Sequence, residues 1–201
     1  MIQHCSSAGA ETASVVMGWW LLAMILYPET QKCAHMELDA VVGRSRMPSF
    51  ADFEHLLYVR AMVKEALRWR PVDPLGLPHR STADDWYNGY FIPKGTVCVA
   101  NVWCLNRDPE IYGPDAEHFN PARHLDESGQ IARGPVDTKE EGHATYGFGR
   151  RICVGRHLAN NSLFINMATI LWALRIERAK GANGKDIPMD VDGCVDAGLV
   201  V

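Results

Sequence analysis

Cys153 stands in the run YGFGRRICVGRHLA, residues 146–159, among glycines and arginines and just ahead of an apolar stretch. A thiol kept for packing sits among apolar neighbours, whereas this one is flanked by Gly147, Gly149 and Gly155 and by Arg150, Arg151 and Arg156. Glycine admits backbone angles that other residues avoid, and it lets a flat ligand approach the main chain. A helix beginning near Arg156 turns its free N–H groups and its dipole toward the sulfur and favours a thiolate. The arginines add positive charge suited to carboxylates. This set of groups suits a soft metal held by a thiolate and flanked by anions; haem, with iron on sulfur and propionates on arginine, meets that description. Two other readings stand beside it. One is a free cysteine in a glycine-rich surface loop. The other is a phosphate-binding loop, although the G-x-x-x-x-G-K-[ST] order is absent.

Other spacings carry weaker signals. KEALRWRP places Glu65 and Arg68 at i and i+3 on one helix face, which taken alone is a surface ion pair of little energetic value. LPHR sets His79 after a proline, where an ordinary strand-edge histidine would also stand. In AGAET, Thr12 lies four residues after Ala8, so its hydroxyl competes for that carbonyl, while Gly9 loosens the helix and a groove opens.

These residues need elements to position them. The chain has 201 residues, enough for one domain with a sizeable core or for part of a larger one. A net charge of −4, without a basic run interleaved with aromatics, gives no electrostatic case for nucleic acid or an anionic membrane surface. Cys5, Cys33, Cys98, Cys104, Cys153 and Cys194 form no C-x-x-C pair and are scattered unlike a disulfide framework, so the thiols read as reduced. A zinc or redox-thiol centre lacks the paired ligands it needs. The apolar stretch Ala13–Tyr27 is short for a membrane span and fits a buried core helix, and the N-terminus lacks the features of a signal peptide.

The first half reads as helices over about Cys5–Tyr27, Pro28 to Gly43 and Leu56–Trp69, with Pro28 in a first turn and Gly43 as a C-cap. Asn88-Gly89 between aromatics signals a hairpin, and TVCVA is a β-prone run. Residues from Arg107 to Thr145 read as a long irregular stretch, and a last helix covers about Arg156–Trp172.

YGFGRRICVG resembles the F-x-x-G-x-R-x-C-x-G haem-binding signature of the cytochrome P-450 superfamily, the haem-thiolate monooxygenases. Gly149, Arg151, Cys153 and Gly155 match it, and Tyr146 stands where the family usually has Phe. The added hydroxyl either shifts the iron potential or hydrogen-bonds outward. Glu65 and Arg68 resemble the family's E-x-x-R helix, and FNPAR resembles the following P-x-R element, so Arg123 is implied as third member of a buried triad. His79 matches a position that hydrogen-bonds a haem propionate and pairs in that role with Arg151. AGAET resembles the oxygen-binding helix, with Ala8, Gly9 and Thr12 beside O₂ and with Glu11 and Thr12 as the acid–alcohol pair; Ala13 stands where a second Thr or Ser is common.

The resemblance runs over nearly the whole chain, residues 1–201, as the C-terminal part of one cytochrome P-450 domain, from oxygen helix through cysteine loop to last helix. The implied fold is mainly α with a small β region (α+β), incomplete. The implied activity is insertion of one oxygen atom of O₂ into a lipophilic organic substrate, with haem b as cofactor and electrons from NADPH through a partner reductase. YFIPKGTVCVANVWCLNRDP looks most like fungal microsomal members, whose full-length forms sit on the cytosolic face of the endoplasmic reticulum membrane; a chain without their anchor is cytosolic or of unknown location. Family members are more than twice this length, so the second expectation is a truncated, catalytically inactive fragment with weak or no haem binding. On that expectation the helix from Ala13 to Tyr27, apolar on nearly every face, leaves a large apolar patch uncovered.

Overall fold

Val16, Trp20, Ala23 and Met24 recur at helical spacing along the first helix, α1 (Ile2–Leu26), and all four are buried. The computed structural model describes residues 2–135 and 138–189, with side chains from Glu11 onward. Pro28 occupies the first turn of α2 (Pro28–Val41), where its missing N–H costs nothing. That helix closes at Gly43, whose φ of +70° is the left-handed turn glycine permits and whose N–H donates to Leu38 O at 3.1 Å. α3 (Leu57–Trp69) is central. It packs on α1, on α2, on the long C-terminal helix α6 (Arg156–Ala173) and on a 3₁₀ turn at Pro121–His124.

The core is the common junction of these helices: Val16, Trp20 and Met24 of α1, Leu38 of α2, Val59, Met62 and Ala66 of α3, and Leu163, Phe164, Met167 and Leu171 of α6. Trp20 settles its one polar atom inside this core, Nε1–H donating to Met62 Sδ at 3.1 Å. Full burial of each large aliphatic or aromatic side chain contributes about 1.5–3 kcal/mol. The junction therefore holds α3 and α6 as fixed walls for the loop between residues 141 and 155.

Two short antiparallel ladders make up the β region. β1 (His79–Arg80) pairs with β4 (Val97–Cys98), His79 opposite Cys98. β2 (Asp85–Tyr87) pairs with β3 (Tyr90–Ile92) across Asn88 and Gly89, at φ +49° and +83°, both left-handed as a two-residue I′ turn requires. The stretch read as irregular holds α5 (Pro109–Tyr112) and the 3₁₀ turn, preceded by α4 (Val102–Leu105). The fold is mainly helical with a small β region.

The solvent-facing line of α1 is Glu11, Ser14, Gly18 and Leu21, so Leu21 is its one large apolar contribution among the described residues. Strongly exposed apolar residues lie elsewhere too, among them Leu77, the hairpin residues Trp86, Tyr87 and Tyr90, and Val154 and Leu158 around the cysteine loop. α1 runs as one helix from Ile2 to Leu26 through the AGAET stretch. Among the described residues no single helix is long and apolar enough to cross a membrane; residues 11–26 together with α2 reach that composition only as a pair bent by 102°.

Candidate functional site

The cysteine loop is shaped by two left-handed glycines, Gly147 at φ +77° and Gly149 at φ +54°. Gly155 differs from the sequence reading: at φ −81° it is an ordinary right-handed residue serving as the N-cap of α6. A 3₁₀ turn at Gly149–Arg151 follows Phe148, and the Cys153 N–H returns to Tyr146 O at 2.8 Å, closing the loop. Ile152 is buried and pins the loop from inside. No side chain caps the N-terminus of α6, and its first turn carries no acid, so its N–H groups and dipole are left to the thiol side.

Cys153 itself is exposed. Its apolar neighbours in sequence face solvent with it: Val154 is 95% and Leu158 75% exposed, and Phe148 is exposed as well. A Cβ on Gly147 or Gly149 would meet nothing within 4 Å, so the main chain there is open to close approach. Arg150 and Arg151 are exposed beside them. An exposed thiol with apolar and cationic neighbours on an open main chain fits a flat apolar group with an anionic edge and a soft metal, as haem is. Among the described residues no cluster of three or more His, Cys, Asp or Glu side chains is placed to hold a metal in another way.

The question left by Tyr146 has a geometric answer. Its hydroxyl donates to Asn160 Oδ1 of α6 at 2.8 Å, Asn160 Nδ2 donates to Glu141 Oε2 at 2.8 Å, and Glu141 Oε1 pairs with Arg156 Nε at 3.3 Å. Burial, and then the charges of Glu141 and Cys153, push the phenol above its ordinary pKa and keep it a donor.

Behind the loop lies an ion network. Glu65 and Arg68, both with fully buried side chains, meet in two parallel bonds of 2.7 Å. Arg68 spends its other donors on the carbonyls of Asn106 and Ala116, both at 2.6 Å, and of His118 at 3.1 Å, so every N–H of the guanidinium has an acceptor. Arg123 Nε reaches Glu65 Oε1 at 3.1 Å, and its remaining donors hold Asp115 and the Tyr112 carbonyl. Glu65, Arg68 and Arg123 are thus brought together. Two further members were not foreseen. The Asn120 N–H donates to Glu65 Oε1 at 2.8 Å, and His124 Nε2 lies 2.9 Å from Glu65 Oε2. His124 directly follows Arg123 on the same 3₁₀ turn, and that adjacency was its only sequence signal.

Burial alone would raise the Glu65 pKa; the hydrogen bonds and charges of Arg68 and His124 outweigh it and lower it to about 2. Burial holds His124 below the ordinary histidine value against the pull of Glu65, and its Nε2–H donates to the carboxylate.

Asn106, also missed, joins the two parts. It is buried, its Nδ2 donates to Arg68 O at 3.2 Å and to Thr145 Oγ1 at 2.9 Å, and its Oδ1 accepts from Ala144 N at 2.7 Å. Thr145 Oγ1 in turn donates to Leu67 O at 2.6 Å. The backbone just before Tyr146 is therefore bolted to α3. His143 is buried there too, its Nδ1 accepting from Thr145 N at 3.2 Å; burial, then the charges of Lys64, His124 and Arg68, push its pKa well down.

The remaining predicted residues lie apart from this cluster. His79 is exposed on β1 and Arg151 is exposed in the 3₁₀ turn, and no hydrogen bond or ion pair joins them among the described residues. Glu11 is exposed and Thr12 half-buried on α1. Ala8 and Gly9 lie in the same helix, and their side chains fall outside the described residues.

The family model for cytochrome P-450 matches residues 3–195. The chain belongs to the cytochrome P-450 family. Its curated relatives include two cytochrome P-450 monooxygenases of Armillaria gallica, 74% identical over 96% of this chain and 65% identical over 97% of it. A third, from Postia placenta, is 55% identical over 96% of the chain. The chain spans 37%, 38% and 36% of these relatives' lengths, so it corresponds to part of a cytochrome P-450 of the fungal kind.

Proposed function

We propose that this cytochrome P-450 chain holds haem b through the Cys153 thiolate and serves a monooxygenase that inserts one oxygen atom of O₂ into a lipophilic organic substrate. The observation that carries the reading is the setting of Cys153: an exposed thiol ahead of an uncapped helix N-terminus, on an open glycine loop with apolar and cationic neighbours, tied to the core through Asn106 and the Glu65 network. Bound haem would supply one-electron chemistry and O₂ activation.

The chain's own residues take the surrounding roles. Cys153 would hold the iron through its sulfur. Arg151 and His79 would bind the propionates, Gly149 and Gly155 would leave room beside the sulfur, and the Tyr146 ring would back the cysteine loop. On α1, Ala8 and Gly9 would border the O₂ site, and Glu11 with Thr12 would pass protons from solvent. Electrons come from NADPH through a partner reductase, at the cytosolic face of the endoplasmic reticulum as in full-length relatives of this kind. Reconstitution of the full chain with haem, a fungal reductase, NADPH and ¹⁸O₂ tests this. The expected result is NADPH-dependent product carrying one labelled oxygen. A folded chain that retains no haem overturns the reading.

A further inference from the structure

The side chains of Tyr146, Asn160, Glu141 and Arg156 form a chain of contacts that begins and ends on the peptide groups of Cys153. The Cys153 N–H donates to the carbonyl of Tyr146 at 2.8 Å. The Tyr146 hydroxyl donates to Asn160 at 2.8 Å, Asn160 donates to Glu141 at 2.8 Å, and Glu141 pairs with Arg156 at 3.3 Å. Arg156 then closes the circuit, Nη1 donating to the Cys153 carbonyl at 3.3 Å. Both peptide groups of the cysteine are thus gripped by members of one network.

The loop needs such a grip. Gly147 and Gly149 lie inside it, and glycine loses more backbone freedom on ordering than any other residue. Between Tyr146 and Cys153 the main chain contributes the closing bond and the Arg151 N–H to Phe148 O bond of 3.2 Å. Tyr146 carries the acceptor for the closing bond, so fixing its ring by the hydroxyl also fixes where the Cys153 amide points. Glu141 and Arg156 are mostly buried, with 8% and 17% of their side chains exposed, so their pairing is less screened than a surface pair.

We propose that Tyr146, Asn160, Glu141 and Arg156 act together as positioning residues that set the direction of the Cys153 thiol against α6, with the Tyr146 hydroxyl as the member that a phenylalanine at this position would lack. The inference rests on Cys153 as the haem ligand, but its first test does not need haem.

Tyr146→Phe removes the hydroxyl and keeps the ring. Glu141→Gln keeps an acceptor for Asn160 and weakens the pairing with Arg156. Hydrogen exchange resolved at the Cys153 amide in the full chain should accelerate about two- to tenfold in Tyr146→Phe, the range set by one net hydrogen bond. Exchange in the middle of α3 should stay unchanged. The double variant should exchange no faster than the quicker single, because both cut the same circuit. In the haem-loaded full chain, Tyr146→Phe should also broaden the Soret band of the reduced carbon monoxide complex. Exchange at Cys153 within twofold of the parent overturns the proposal, as does acceleration spread evenly over α3 and α6. Absence of haem binding by the parent would overturn the functional reading instead, and the exchange ratio would still decide this one.

Discussion

Replacing Glu65 by Gln tests whether the buried network is a structural keystone. The carboxylate receives two bonds from Arg68, one from Arg123, one from His124 and one from the Asn120 N–H. Glutamine keeps the shape but removes the charge, and its amide nitrogen turns donor against donor. Arg68 then stays fully buried without a counter-charge. Removing one partner of a buried ion pair costs about 3–5 kcal/mol. At about 2–4 °C per kcal/mol for a chain of this size, thermal unfolding followed by circular dichroism should fall by roughly 6–20 °C. Asp39→Asn, at the exposed Arg44–Asp39 pair with side chains 58% and 52% exposed, is the control and should cost less than about 1 kcal/mol. The acid limb gives a second arm. Glu65 has its folded pKa lowered, so its contribution is present above the unfolded carboxylate value and is lost as pH falls toward about 2; that limb should be absent in Glu65→Gln. A loss below about 1 kcal/mol, or strict additivity with Arg123→Ala, would refute the reasoning.

Asn106→Leu leaves the buried Ala144 N–H and the Arg68 carbonyl without their partner and should cost at least about 2 kcal/mol, with weaker haem retention in the same variant, measured by thermal unfolding and haem titration. His124 and His143 both have lowered folded pKa values, so the unfolded chain takes up protons first as pH drops. Stability should therefore begin to fall below about pH 6.5, by up to about 1.4 kcal/mol per pH unit for each histidine, and His143→Gln should flatten the slope in urea titrations at stepped pH.

Local rules made much of this fold legible. Pro28 and Gly43 bound α2 because proline suits a first turn and glycine a left-handed close. Asn88-Gly89 announced the hairpin because both residues tolerate positive φ. The stretch NVWCL was harder. It carried no helix signal of its own, and the Asn101 side chain, accepting from Cys104 N at 3.1 Å, starts the short helix α4. His124 and Asn106 escaped because their partners, Glu65 on α3 and Ala144 and Thr145 before the cysteine loop, are remote in sequence. The direction of the Tyr146 hydroxyl was open for the same reason: Asn160 becomes its neighbour only when the loop folds back on α6. The apolar content of α1 was legible, but its phase was not: Ser14 and Gly18 fall on the outward line.

The central claim is that Cys153 is the haem ligand, and the reduced carbon monoxide spectrum tests it most directly. The full chain, loaded with haem, reduced and exposed to carbon monoxide, should show the long-wavelength Soret band that a thiolate ligand produces, and Cys153→His should move that band to shorter wavelength while haem stays bound. A long-wavelength band that survives in Cys153→His, or one that never appears in the haem-loaded parent, would contradict the account.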